Sequence, residues 1–143
     1  MSEQRPAAAA ARCEQVTLPS GLTVLCRTMP DYSTVHAAYV TAFGSIDRAF
    51  TLDGRAVTVP AGTAHFLEHK MFESEQGDAF DLYAQTGASA NAFTSFDSTC
   101  YIFTATDQTD KNLDILLGMV GRPWFTKETI AKEQGIIGQE IKM

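Results

Sequence analysis

The densest chemistry in the chain lies in His65-Phe66-Leu67-Glu68-His69. Histidines four apart on a helix project from one face, near enough to share a metal ion. Glu68, immediately before the second histidine, brings a carboxylate to the same place. Two neutral imidazoles, with a carboxylate able to take a proton from a metal-activated water, form the donor set of a zinc hydrolase. The order H-x-x-E-H inverts the commoner H-E-x-x-H pattern. The chain has three histidines in all. The third, His36, has no acidic or histidine neighbour in sequence and reads as a surface or edge residue of a strand. A turn with two solvated histidines would share the pattern, but its flanks favour a docked helix. Thr63 is placed to cap the start, and Phe66, Leu67 and Phe72 supply an apolar side.

Zinc held by two histidines needs at least one more protein ligand if a single position is to stay open. The last helical stretch offers Glu128, Glu133 and Glu140. Glu133 and Glu140 are seven apart, two turns, and share a face with Ile137, whereas Glu128 lies well around the helix. One of the pair could reach the metal while the other orients a ligand. Spacing leaves both assignments open. Gly135, Ile136, Ile137, Gly138 and Ile141 make this helix apolar and small, which predicts that it packs inside the fold with its carboxylates on the inner side.

The elements that must position these groups follow from periodicity and punctuation. Gln15 to Leu18 and Leu22 to Met29 read as strands about Pro19-Ser20-Gly21, and Val35 to Phe43 as a third. Arg48 to Val59 is a hairpin about Asp53-Gly54. Helices are expected from Ala64 to Phe72 and from Gly77 to Gln85, the second ended by Gly87. Ser89 to Thr94 and Thr99 to Thr106 read as strands joined at Ser95-Phe96-Asp97. Asp110 to Val120 carries Leu113, Ile115, Leu116 and Met119 at helical spacing, and a last helix runs from Thr126 to the end. Strands followed by interspersed helices, without repeats, predict an α+β fold: a mainly antiparallel sheet packed against helices. The expected organisation is a tail over 1–14 followed by one unit over 15–143.

Bulk properties narrow the function. At 143 residues, 45% hydrophobic and 20% charged, the chain has the make-up of a single globular domain. A net charge of -6 without a basic run argues against nucleic acid. Cys13, Cys26 and Cys100 are odd in number and lack C-x-x-C spacing, so a reducing compartment fits and the cytoplasm is the expectation. No signal-peptide core and no membrane-length apolar run are visible, so a membrane role is not expected.

From Val16 to Met143 the sequence resembles the insulinase/pitrilysin family of zinc metallopeptidases, the inverzincins that include mitochondrial processing peptidases. The resemblance rests on Leu18-Pro19-Ser20-Gly21-Leu22-Thr23-Val24, Gly44-Ser45, Ala64 to His69, Ala90-Asn91-Ala92-Phe93-Thr94 with Tyr101, and Glu133 to Glu140. It implies the N-terminal part of such a domain, one zinc per chain on His65, His69 and Glu140, Glu68 as general base, and Glu133 in support. It also implies that Asn91, Ala92, Phe93 and Thr94 form an edge to which a peptide substrate adds as another strand, with the Asn91 side chain near the scissile bond. Relatives are built from repeated domains that close over the substrate as a clamshell. This chain ends three residues after Glu140. The expectation is therefore an N-terminal portion of a metalloendopeptidase acting on extended or unfolded peptides. Its partner would be a C-terminal half or homologous subunit, and self-association could follow where that half is lacking. The alternative is a non-catalytic homologue serving as a structural or peptide-binding subunit; in such members the H-x-x-E-H residues are usually eroded, whereas here all three stand.

Overall fold

The computed structural model describes residues 12–140 and divides into two compact units, Met1–Ser33 and Thr34–Met143. Most of the expected tail, like Ile141, lies outside the described residues. In the first unit β1 (Cys13–Thr17) pairs antiparallel with β2 (Thr23–Arg27), with Val16 opposite Val24. The turn closes through Leu18 N–H to Leu22 O at 2.8 Å and Gly21 N–H to Leu18 O at 2.9 Å. Cys13 and Glu14, expected in the tail, belong to β1 because they find Arg27 and Cys26 across the ladder. A two-stranded ladder of this kind satisfies its backbone by its own local pairing.

The second unit begins with β3 (Val35–Thr41), the hairpin β4 (Ala49–Leu52) and β5 (Arg55–Thr58), and then α1 (Thr63–Lys70). Asp53 and Gly54 both take positive φ, 50° and 75°, as a tight hairpin turn demands. A two-residue ladder, β6 (Glu73–Ser74) with β7 (Gly77–Asp78), follows and was not foreseen. The remainder is α2 (Ala79–Thr86), β8 (Ser89–Thr94), β9 (Thr99–Ala105), α3 (Thr109–Gly121) and α4 (Lys127–Glu140). The main sheet runs β3-β9-β8, antiparallel throughout, so the α+β expectation holds.

Being central, β9 is the most buried strand and carries Tyr101, Phe103 and Ala105 into a core with Phe72, Ala79, Tyr83, Leu116 and Met119. Phe103 is completely buried, its ring 5.8 Å from that of Tyr83. On β8 burial alternates along the strand, as expected where one face is covered and the other open. The loop ahead of the β4–β5 hairpin docks on the β8–β9 turn by backbone bonds, Ser45 N–H to Ser95 O at 2.9 Å and Ile46 N–H to Phe96 O at 3.0 Å. Gly44 is required there: a Cβ would stand 2.4 Å from the Phe96 carbonyl oxygen.

Two local expectations need correction. Thr63 does not cap α1. Gly62 takes that position at φ 83°, and the Thr63 hydroxyl donates instead to the Pro60 carbonyl at 2.8 Å. Nor is α4 packed inside the fold. Among its residues Glu133 alone is buried, and Ile136 is 39% exposed. The helix has too few apolar residues along one stripe to be drawn inward, so only its Glu133 side is covered.

Candidate metal centre

The site is made by two helices distant in sequence. On α1, packed over β8 and β9, Ala64 is buried, and His65, Phe66, Leu67, Glu68 and His69 are half-buried. α4 lies beside α1 and begins where the Thr126 hydroxyl accepts from the Thr129 N–H at 3.1 Å, a capping bond the sequence reading did not assign.

The Nε2 atoms of His65 and His69 are 3.1 Å apart, and Glu140 Oε2 is 3.8 Å from each. Taking one atom from each residue, all three lie within 4.8 Å of one another. Four ligands about 2.0–2.1 Å from zinc stand roughly 3.3 Å apart at the corners of a tetrahedron, so this triangle fits with small side-chain movements. The second imidazole nitrogen decides the tautomer. His69 Nδ1 is 2.8 Å from Glu133 Oε1, and a carboxylate can only accept, so Nδ1 carries the hydrogen and the Nε2 lone pair faces His65 and Glu140.

Exposure grades across the site. The side chain of Glu133 is 7% exposed and that of His69 24%, while His65 and Glu140 reach 42% and 39%. The anchoring carboxylate is thus inside and the converging donors open outward. Spacing left Glu133 and Glu140 interchangeable; the structure separates them, one on Nδ1 and the other on the Nε2 side.

Glu68 Oε2 accepts from the Thr94 hydroxyl at 2.5 Å, which ties the carboxylate of α1 to the end of β8. Nearby Tyr101 is pushed up to about 12, first by burial and then by the Glu68 charge. β8 pairs with β9 on one side and with no strand on the other among the described residues. Ala90, Ala92 and Thr94 share the half-buried face; Asn91 and Phe93 point the other way, Phe93 being 50% exposed. The Asn91 Oδ1 accepts from the Ala92 N–H at 2.9 Å. His36, as expected, stays apart on exposed β3, its Nδ1 2.9 Å from Thr104 Oγ1.

One group was missed. Lys70, directly after His69, is completely buried and pairs with Glu73, which also meets Lys132 at 3.0 Å. A lysine ending a helix reads as solvated, and nothing in local spacing indicates a partner on another helix.

Fold and donor set together present an H-x-x-E-H helix with three side chains that could hold a metal ion. The family model described as Insulinase (Peptidase family M16) matches residues 58–143, and the chain belongs to that family. It is 46% identical over 128 residues to the uncharacterized zinc protease YmfH of Bacillus subtilis, covering 88% of this chain and 30% of that protein. Among solved structures it is similar to an M16-like peptidase from Alicyclobacillus acidocaldarius, with a TM-score of 0.89 at 41% identity over 96% of this chain and 32% of that one. Pitrilysin shares the fold, with a TM-score of 0.74 at 21% identity over 94% of this chain and 14% of its own. The chain thus spans less than a third of the length of these relatives. Of these, YmfH carries zinc in its name.

Proposed function

We propose that the chain supplies the zinc-binding part of a metalloendopeptidase that hydrolyses peptide bonds in extended or unfolded segments. The observation that carries this reading is the convergence of the His65 and His69 Nε2 atoms with the Glu140 carboxylate, backed by Glu133 on Nδ1 of His69. Zinc bound by His65, His69 and Glu140, one ion per chain, would polarise the scissile carbonyl and acidify a water.

The chain's own residues do the rest. Glu68 takes the proton from the attacking water and returns it to the leaving amine. The Thr94 hydroxyl on Oε2 fixes the carboxylate, leaving Oε1 for that exchange. The open edge of β8 receives the peptide as an added strand, with backbone bonds for affinity and pockets for selectivity. Asn91, Ala92, Phe93 and Thr94 lie along it, and the Asn91 amide is placed to trade its Ala92 contact for the substrate backbone.

The remainder of the active enzyme, in the same chain or in a homologous subunit, closes over this edge. Exposed Phe93, Phe125 and Ile136 offer apolar surface for that half or, without it, for a second copy. The cytoplasm is the proposed compartment. Its support is three free thiols, of which Cys13 and Cys26 sit opposite Arg27 and Glu14 and so point to opposite faces of their hairpin.

The test is metal content of the purified chain beside Glu140→Gln, with hydrolysis of a quenched fluorescent peptide measured once the complementary half is present. About one zinc per chain, lost in Glu140→Gln, is expected. Glu68→Gln should hold zinc and lose hydrolysis; unchanged turnover in that variant sinks the assignment.

A further inference from the structure

We propose that Lys70, Glu73 and Lys132 form a charged strap that sets α4 in register against α1 and thereby positions Glu133 and Glu140 for the two histidines. This inference rests on the zinc reading above.

The argument begins with what holds α4. Of its apolar side chains Ile130 and Ile137 are half-buried and Ile136 is exposed, so none contributes what a fully buried aliphatic residue does. Its single buried side chain is a carboxylate. Polar contacts must therefore fix where the helix sits along α1. The bond between Glu133 and His69 is one of them, and Lys132 with Glu73 is another.

The second contact is anchored from below. The Lys70 ammonium has no exposure, and a buried charge without a partner is strongly unfavourable, so a carboxylate has to accompany it. Glu73, three residues on, turns Oε2 to Lys70 and leaves Oε1 for Lys132. Burial pushes the Glu73 carboxyl up, yet the hydrogen bonds and charges of Lys70 and Lys132 outweigh it and hold it below the usual glutamate range, so it is ionised at neutral pH. The Phe125 ring, just ahead of α4, lies 6.0 Å from the Lys70 Nζ as a further contact.

The contacts close a ring. Lys70 follows His69 in sequence and Lys132 precedes Glu133. Starting at His69, the path passes through Lys70, Glu73 and Lys132 to Glu133, and returns to His69 Nδ1 across 2.8 Å. A slip of α4 by even part of a turn breaks the ring at Glu73, and it carries Glu140 away from the Nε2 atoms. The three charged residues are positioning residues: none is among the converging donors.

The experiment measures zinc affinity of the full chain by chelator competition, and the visible absorption of its Co2+ form, in wild type, Glu73→Gln, Lys132→Ala, Lys132→Arg and Lys70→Met/Glu73→Gln. Loss of Glu73 should weaken zinc by about tenfold or more and alter the cobalt bands, as removing outer supports of a ligand set does. Lys132→Ala should move the same way and Lys132→Arg should retain wild-type values. Glu73→Gln leaves the Lys70 ammonium buried against an amide; the double variant removes both charges and carries the test if the single one does not fold. Wild-type affinity and spectrum in both Lys132→Ala and the double variant overturn the strap alone. A folded wild-type chain that takes up no zinc overturns the metal reading and the strap with it.

Discussion

The two helices that make the site are held in opposite ways. α1 is seated on the sheet by apolar contact: Ala64 is buried over β8 and β9, with Leu67 and Phe66 partly covered beside it. α4 is mostly exposed and is held chiefly by carboxylate contacts, Glu133 to His69 and Glu73 to Lys132. Non-directional burial fixes the plane of a helix, whereas hydrogen bonds and ion pairs fix its register. The imidazoles thus come with the core, and the carboxylates come on an element whose placement depends on charge.

The largest test of this contrast is Phe103→Ala. Emptying a fully buried ring site should cost about 3–5 kcal/mol. Chemical denaturation should then show sheet and α1 losing stability together, with zinc affinity unchanged wherever the variant is still folded. Next in size is Glu133→Gln, expected to weaken zinc about 10–100-fold while moving the denaturation midpoint little, since an amide can still pair with Nδ1–H but binds it less strongly. Zinc itself should then discriminate the helices: hydrogen exchange in α4 should slow on adding zinc and recover on chelation, with β9 amides unaffected. Equal protection of α1 and α4 in the zinc-free chain would erase the contrast.

The smallest effect is acidic. A carboxyl held below its ordinary value near 4.5 contributes stability that is complete above that pH and fades as pH falls through its native value. Denaturation midpoints should therefore drop below about pH 4.5, and Glu73→Gln should make that limb shallower. A limb of equal steepness in the variant would assign the acid sensitivity to other carboxylates.

What the sequence disclosed followed the same division. The H-x-x-E-H helix, the Asp53-Gly54 hairpin, the Gly87 stop of α2 and the β8–β9 pair all rest on local period or turn chemistry, and all stand within a few residues of where spacing put them. Spacing could not divide the roles of Glu133 and Glu140, because seven residues place both on one face; the family resemblance alone separated them, and in the fold it is the position of α1 that tells them apart. The burial of Lys70 was illegible for the same reason: its partners lie three residues ahead on a different element and on a second helix altogether. Isoleucine content misled for α4, where glycine, glutamine and glutamate interrupt any continuous apolar stripe.

His69 and Glu133 are 64 residues apart in the chain. At a synthesis rate of about 5–20 residues per second, the imidazoles leave the ribosome roughly 3–13 s before the carboxylate that orients one of them. During that interval the emerging polypeptide carries a histidine pair but no assembled site beside its own unfolded segments. Sequence separation between the two helices therefore works as a delay: the histidine pair exists before the carboxylates that complete the donor set.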